Sequence, residues 1–230
     1  MNTPGKKFRK ALEDNKPLKV VGAINAYCAK MAEKAGHKAL YLSGAGVANA
    51  SFGLPDLAIT TLNDVAEDSR RITQATNLPL LIDIDTGFGG AFSISRTIKE
   101  MIAADVAAVH IEDQVTQKRC GHRPNKSLVD KIEMNDRIKA AVDGRTDDSF
   151  FIMARTDSYA SEGMEGAIDR CNEYISAGAD GLFLEAVSSL EDYKQLKDAL
   201  QVPLLANITE FGKTPLFTAQ ELASVGVDIM

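Results

Sequence analysis

The sequence predicts an α/β protein built as a closed (β/α)8 barrel of the TIM type, with parallel strands inside and helices outside. Three observations predict this class. Apolar runs of strand length alternate with longer stretches of helical periodicity, the runs are apolar throughout, and seven strand–helix units with an eighth begun fit into 230 residues. Continuously apolar strands are typical of parallel sheets buried on both faces. Repeated βα units connect by right-handed crossovers, and eight of them close a barrel.

The strands are assigned to the apolar runs in chain order. An open doubly wound sheet is the alternative arrangement, but no G-x-G-x-x-G motif follows the first run. The last run stops at the final residue, so we expect one domain over 1–230 with an incomplete last strand and without the final helices. The predicted strands are 18–24, 39–44, 78–85, 107–113, 150–156, 181–186, 203–208 and 227–230.

Helical periodicity fills the intervals between these strands. Gly36 suits the position just after the first helix, and Thr61 suits an N-cap, with Asp64 three residues later. Cys28 and Cys171 fall inside helices and are expected to be packing residues. The predicted helices are 25–36, 61–76, 92–105, 131–144, 164–179, 188–200 and 218–226.

The composition excludes several classes of function. The net charge is −6, the wrong sign for a nucleic-acid-binding protein. The sequence has no apolar run near 18 residues and no signal-peptide core at its N-terminus, which predicts a cytoplasmic protein without a membrane partner. The three cysteines are far apart and contain no C-x-x-C pair, so neither a disulfide framework nor a zinc site is expected.

Polar residues gather at the carboxyl ends of the predicted strands, where barrel enzymes carry their active sites. Two long connections, 44–60 and 113–130, lie at the same face, and long loops in compact domains are often functional. Burying so many charges is costly unless they pair or bind a metal. The strand-end residues are Tyr41, Ser43, Gly44, Asp83, Asp85, His110, Glu112, Asp113, Arg155, Thr156, Asp157, Glu185, Asn207 and Thr209.

Asp83 and Asp85 form the sharpest local pattern. Two residues apart on a strand, their side chains point the same way, and a divalent cation would relieve their repulsion. With Glu112 nearby, the ligand set is oxygen only, which favours Mg²⁺ or Mn²⁺ over zinc. The alternative is that one of the two aspartates caps a helix. His110 is either a buried core histidine or a partner of these carboxylates.

The stretch KRCGHRPNK at 118–126 places one cysteine among cations. A solvated basic loop is the plain interpretation. The alternative is that the neighbouring cations favour the Cys120 thiolate, as reactive cysteines require. His122 would then either donate to an anion or polarise the thiol. Arg155, at a strand end, suits either a bidentate carboxylate contact or a structural ion pair.

These motifs together resemble the isocitrate lyase and phosphoenolpyruvate mutase superfamily, from about residue 4 to the last residue. The segments are KRCGHRPNK, LIDIDTGFG (81–89), VHIEDQ (109–114), IMARTD (152–157) and ANITEFGKTPLF (206–217). K-R-C-G-H is the specific element, similar to the loop of the lyase branches that cleave isocitrate or 2-methylisocitrate. The short chain favours the methylisocitrate branch.

The resemblance implies a Mg²⁺-dependent lyase, with Mn²⁺ as the alternative metal. It would cleave 2-methylisocitrate, a small tricarboxylate, to pyruvate and succinate in the methylcitrate cycle of propionate catabolism. Cleavage of isocitrate, or another 2-oxo acid lyase or hydrolase reaction, is the alternative. A homotetramer is also implied.

The resemblance further implies roles for individual residues. Cys120 would be the general acid that protonates carbon, and Tyr41 the acceptor of the hydroxyl proton. Lys118, Arg119, His122 and Glu112 would assist catalysis. Asp83 and Asp85 would hold the metal. The implied substrate contacts are Ser43, Gly44, Ala45, Asp56, Gly121, Arg155, Glu185, Asn207, Ile208 and Thr209.

The chain departs from the superfamily pattern in three places. Ala45 stands where a glycine is usual, and Leu184 where a proline is common. Members also continue beyond residue 230, where the rest of strand 8, a further substrate-binding arginine and a terminal helix are implied. We therefore expect a fragment of a functional lyase. The alternative is a protein that is not an enzyme, a truncated, non-catalytic barrel.

Overall fold

The computed structural model describes residues 2–230 and confirms the predicted parallel barrel. Seven strands pair in sequence order, every pair parallel. Ile229 forms parallel bridges to both Leu18 and Leu205, so the short last segment spans the gap between the first and seventh strands. The strands are β1 (Val20–Gly22), β2 (Ala39–Leu42), β3 (Leu80–Asp83), β4 (Ala108–Glu112), β5 (Phe151–Thr156), β6 (Gly181–Leu184) and β7 (Leu204–Leu205).

The helices surround this sheet, and their termini follow the predicted signals. The Asp64 carboxylate accepts hydrogen bonds from the Thr61 backbone N–H (2.7 Å) and hydroxyl (2.8 Å). Gly36 has a φ of +89° directly after its helix, as a C′ glycine should. The helices are α1 (Pro4–Asp14), α2 (Ala26–Lys34), α3 (Gly44–Gly46, continued by a π-helical turn Val47–Ser51), α4 (Leu62–Thr73), α5 (Ala91–Ala103), α6 (Lys131–Gly144), α7 (Tyr159–Ser176), α8 (Leu190–Ala199) and α9 (Ala219–Ser224).

Helix α1 closes the bottom of the barrel, and the sequence patterns did not predict it. Phe8 and Leu12, one helical turn apart, are buried among the residues that fill the barrel interior. Gly5 approaches the β5 entrance so closely that a Cβ would lie 2.5 Å from the carbonyl carbon of Ser149. The barrel is therefore a filled core that is open only at its carboxyl end.

A second apolar layer lies between the strands and the helices. Cys171 is fully buried in this layer, and Cys28 of α2 packs against the layer, which confirms both as packing residues. In the described part of the chain, residues 2–230, no helix is long and apolar enough to cross a membrane.

The inward-facing side chains of the strands form an apolar interior and, at the carboxyl ends of the strands, a polar rim. Side chains at every second residue point into the barrel, and on each of five strands this series changes from apolar to polar toward the carboxyl end. The series are Leu81–Asp83–Asp85, Ala108–His110–Glu112, Met153–Arg155–Asp157, Phe183–Glu185 and Leu205–Asn207.

Candidate active site

The polar rim borders a cavity of about 370 Å³ at the carboxyl end of the barrel. Its volume lies in the range of small-ligand sites, roughly 300–1,000 Å³. Most of the predicted site residues meet in its wall although they come from the ends of five strands and from two loops. Those residues are Tyr41, Ser43, Ala45, Asp56, Asp83, Lys118, Cys120, Gly121, His122, Arg155, Glu185, Asn207, Ile208 and Thr209.

Asp83 and Asp85 converge on the backbone of Gly44. Asp83 Oδ2 accepts a hydrogen bond from the Gly44 N–H (3.2 Å), and Asp83 Oδ1 accepts one from the Asp85 N–H (2.9 Å). A Cβ on Gly44 would lie 3.0 Å from Asp85 Oδ1 and 3.1 Å from Asp83 Oδ2. Because residue 44 has no side chain, both carboxylates can lie close to its backbone.

Lys118 supplies the cation beside this pair. Its Nζ lies 2.5 Å from Asp56 Oδ1 and 2.7 Å from Asp85 Oδ1, with 4% of the side chain exposed. Burial alone would lower the pKa of Lys118, but Asp83, Asp85 and the other carboxylates around it raise it above its ordinary value. The ammonium therefore stays charged in the site.

The two aspartates titrate differently. Burial, followed by the Asp83 charge, raises the pKa of Asp85 to about 6, while Lys118 opposes this shift through its charge and its hydrogen bond. Burial would also raise the pKa of Asp83, but the surrounding positive charge lowers it to about 2. His110 contributes little of that charge at neutral pH, because burial lowers its own pKa to about 4. Lys118 and Arg155 therefore keep Asp83 ionised.

His110 lies between Tyr41 and the aspartate pair, Asp83 and Asp85. The Tyr41 hydroxyl lies 2.9 Å from His110 Nε2, and His110 Nδ1 lies 3.6 Å from Asp83 Oδ1. Burial, followed by the Asp83 charge, raises the pKa of Tyr41 well above its ordinary range. The phenol is therefore protonated and lies beside a neutral histidine, so Tyr41 can accept a proton only if it passes its own to His110. His110 thus faces Asp83 without a hydrogen bond to it.

The oxygen atoms in this region fit a hard divalent cation. Asp85 Oδ1 and both carboxylate oxygens of Glu112 are buried without a well-aligned hydrogen bond. Nowhere in residues 2–230 do three His, Cys, Asp or Glu side chains form a ready-made metal cluster. Mg²⁺ needs no such cage, since it binds through one or two carboxylates and fills its shell with water and substrate oxygens. Asp83 and Asp85 are the residues that would hold it.

Arg155 is held at the centre of a buried carboxylate cluster. It lies 3.1 Å from Glu112 Oε2, 3.0 Å from Asp157 Oδ2 and 3.0 Å from Glu185 Oε2, and its guanidinium stacks over the Phe183 ring at 4.9 Å. Burial raises the pKa of Glu112 well above its usual range despite Arg155. Arg155 therefore makes structural ion pairs and also lines the cavity, and its contact with a substrate carboxylate stays a prediction.

The K-R-C-G-H loop covers the mouth of the barrel. A Cβ on Gly121 would lie 2.4 Å from Arg155 Nη2, so the loop backbone rests directly on the arginine. His122 Nε2 lies 3.1 Å from Glu185 Oε1, while its Nδ1 accepts a hydrogen bond from the Lys213 N–H (3.0 Å). His122 thus reaches toward a carboxylate, and Cys120 lines the cavity beside it.

Four predicted residues lie outside the cavity wall. Arg119 was expected beside the thiol, but its side chain is exposed, and only its backbone is anchored, to the side chain of Gln114. The prediction for Arg119 was wrong: its side chain faces solvent, because neighbouring loop residues point in different directions. Gly44 and Glu112 lie behind the wall, and Asp85 borders a neighbouring cavity of about 340 Å³.

Lys126 is the contact in this loop that sequence reasoning missed. Its Nζ donates to the Gly121 carbonyl (2.5 Å) and lies 2.7 Å from Asp157 Oδ1. The sequence showed only one more cation in a basic run. A possible signal was the unmatched acid Asp157, which follows Arg155 at the end of β5.

The chain matches known proteins over nearly its whole length. Residues 8–230 match the family model described as phosphoenolpyruvate phosphomutase. The chain is 62% identical over 226 residues to the 2-methylisocitrate lyase of Shewanella oneidensis, an alignment that covers 98% of this chain and 77% of that protein.

Two solved structures share the fold. One is 2,3-dimethylmalate lyase, described as a PEP mutase/isocitrate lyase superfamily member (TM-score 0.94, 39% identity, covering 100% of this chain and 78% of that one). The other is phosphonopyruvate hydrolase in complex with oxalate and Mg²⁺ (TM-score 0.84, 28% identity, covering 99% and 79%).

Proposed function

This chain belongs to the phosphoenolpyruvate phosphomutase family, and we infer that it is a carbon–carbon lyase that cleaves 2-methylisocitrate to pyruvate and succinate. The observation that carries this inference is that Cys120 of the K-R-C-G-H loop lines the same cavity as Asp83 and Lys118. A thiol, a carboxylate that can bind a metal and buried cations therefore line one cavity of small-ligand size.

The cleavage is a retro-aldol reaction in which the substrate's hydroxyl loses its proton and the adjacent carbon–carbon bond breaks. The electron pair of that bond passes to the succinate fragment, which becomes an aci-carboxylate. Lys118 and Arg155 are the fixed cations at the cavity that can stabilise this charge. Because they are already held by ion pairs, they need little reorganisation as the charge develops.

Cys120 completes the reaction by giving its proton to the carbanionic carbon, as a general acid. In the reverse direction its thiolate removes that proton. His122 and Asn207 line the same wall and would contact a substrate carboxylate. Tyr41 stays the predicted acceptor of the hydroxyl proton, acting as a relay whose own proton goes to His110.

Mg²⁺ held by Asp83 and Asp85 would polarise the substrate's hydroxyl oxygen as a Lewis acid. The oxygen-only donor set supports this metal, and a structural relative at 28% identity was solved with Mg²⁺. Mn²⁺ prefers the same kind of ligands.

The experiment is to measure kcat/KM for 2-methylisocitrate and for isocitrate, with Mg²⁺ in excess and with EDTA. We expect Mg²⁺-dependent turnover that favours 2-methylisocitrate, within the range of about 10- to 200-fold that one methyl group permits. A preference for isocitrate would refute the substrate. The chain tested should include any sequence that follows residue 230 in the natural protein. A homotetramer and a cytoplasmic location stay predictions.

A further inference from the structure

The loop 113–130 carries two lysines whose side chains are less than one-tenth exposed, and the proposed reaction uses only one of them. Lys118 reaches the aspartates at one end of the loop. At the other end, Lys126 has 8% of its side chain exposed and lies outside the cavity wall. A buried ammonium is expensive unless it is paired and hydrogen-bonded, so its position needs an explanation.

The contacts of Lys126 join the loop to the barrel rim. Its Nζ donates to the Gly121 carbonyl within its own loop (2.5 Å) and pairs with Asp157 Oδ1 at the end of β5 (2.7 Å). Asp157 is itself fixed from two sides, because its Oδ2 pairs with Arg155 (3.0 Å) and its N–H donates to Asp113 Oδ1 (3.0 Å). One ammonium thus connects the loop segment that follows Cys120 with a rigid strand end.

We propose that Lys126 and Asp157 form a latch that holds the Cys120 loop closed over the barrel mouth, which makes Lys126 a positioning residue for the reaction. The role assigned to Cys120 rests on the proposed function; the latch itself rests on the contacts above. Gly121 lies between the latch and the cavity, in contact with Arg155 and Glu185. Holding its carbonyl therefore fixes the height of the neighbouring thiol above the substrate.

Removing the lysine breaks the pair without leaving an unpaired buried charge. In a Lys126→Met variant, Asp157 keeps its ion pair with Arg155. In an Asp157→Asn variant, Arg155 keeps Glu112 and Glu185. The asparagine can present its oxygen to either Lys126 or Arg155 but not to both, so it also weakens the latch. Lys131→Met is the matched control. Lys131 lies just outside the loop, at the start of α6, and its Nζ pairs with Asp169.

The test measures loop opening directly, without turnover. Iodoacetamide alkylation of Cys120 is followed by peptide mass spectrometry, with Cys28 on α2 as the internal reference. Arg-specific proteolysis at Arg119–Cys120 is followed in parallel; Pro124 protects the Arg123 bond. Removing a charge-assisted hydrogen bond should raise both rates about tenfold in Lys126→Met and several-fold in Asp157→Asn. Neither rate should change in Lys131→Met, and the Cys28 rate should not change in any variant. The kcat/KM for 2-methylisocitrate should fall about tenfold in Lys126→Met.

Unchanged Cys120 and Arg119 rates in a folded Lys126→Met variant would overturn the latch, as would an equal increase in Lys131→Met. If Lys126→Met loses its fold, seen as alkylation of buried Cys171, the Asp157→Asn variant decides by the same two rates. If the wild-type enzyme does not turn over 2-methylisocitrate, the proposed function fails, while alkylation and proteolysis still decide the latch.

Discussion

A methyl group on Gly121 should separate loop closure from the rest of the site. In Gly121→Ala, the new Cβ would lie 2.4 Å from both Arg155 Nη2 and Glu185 Cγ, and 2.7 Å from Glu185 Oε2. Contacts below 3.0 Å cannot be kept, and neither neighbour is free to move, since Arg155 and Glu185 are paired with each other (3.0 Å). Gly121 does not have a positive φ, so the effect would come from volume and not from backbone strain.

The size of the effect follows from the cost of overpacking a tight contact, about 1–3 kcal/mol. At about 1.4 kcal/mol for each factor of ten, the closed position becomes roughly 5- to 150-fold less populated. The loop can lift away while the barrel core stays packed. The strain should therefore lower kcat/KM by that factor and leave the melting temperature within a few degrees of the wild type, about what 1 kcal/mol changes in a domain of this size.

Steady-state kinetics of Gly121→Ala and of Gly90→Ala, each with a melting curve, would measure this. Gly90 is the matched control, because its Cβ would meet nothing within 4 Å and its φ is −76°. We expect full activity from the control. Wild-type kcat/KM in a folded Gly121→Ala variant would show that the loop does not rest on Arg155 and Glu185 during the reaction, and the reasoning would be wrong.

Two further predictions concern the thiol and the metal pair. Cys120→Ser should lower kcat by about 10²–10⁴-fold, because a hydroxyl is a far weaker acid than a thiol. Calorimetry should show a substrate affinity within a few-fold of the wild type. A near-normal kcat would remove Cys120 from the mechanism. Asp85→Asn should abolish Mg²⁺-dependent turnover, yet stabilise the EDTA-treated protein above pH 6. The pKa of Asp85 in the folded protein is about 6, above its ordinary 3.8, so its ionised form opposes folding above pH 6 and this cost vanishes below pH 4. The gain at pH 7.5 should be on the order of 2–3 kcal/mol by urea unfolding; equal stability of the two proteins would contradict the raised pKa of Asp85.

The sequence predicted the barrel and most of the cavity wall because both follow from a local rule. Apolar continuity marks buried parallel strands, and the carboxyl ends of such strands meet at one face. Asp83, Arg155 and Asn207 could therefore be placed together although they are far apart in the chain. The same rule located Glu185 at the end of β6, where it pairs with Arg155.

What the sequence could not predict depends on loop direction and on packing across the barrel. Helix α1 escaped detection because its buried face is essentially Phe8 and Leu12, and only the barrel bottom gives that pair a purpose. Arg119 and Lys126 carry the same charge in the same basic run, yet one is exposed and the other is buried against Asp157. Residue type alone does not separate them, because the difference is set by the path of the loop.

The charge at the barrel mouth explains why a tricarboxylate should need a divalent cation there. More carboxylates than cations gather around the cavity, and a trianionic ligand would be repelled by such an excess. Two features reduce it: burial keeps Glu112 prone to protonation, and Lys118 stays charged between Asp56 and Asp85. A divalent ion at Asp83 and Asp85 would remove two further negative charges at the point where the substrate's hydroxyl and carboxylate oxygens must lie. Substrate and metal should therefore bind with positive coupling, each increasing the affinity of the other by the same factor. The carboxylates are Asp56, Asp83, Asp85, Glu112, Asp157 and Glu185, and the cations are Lys118, Lys126 and Arg155.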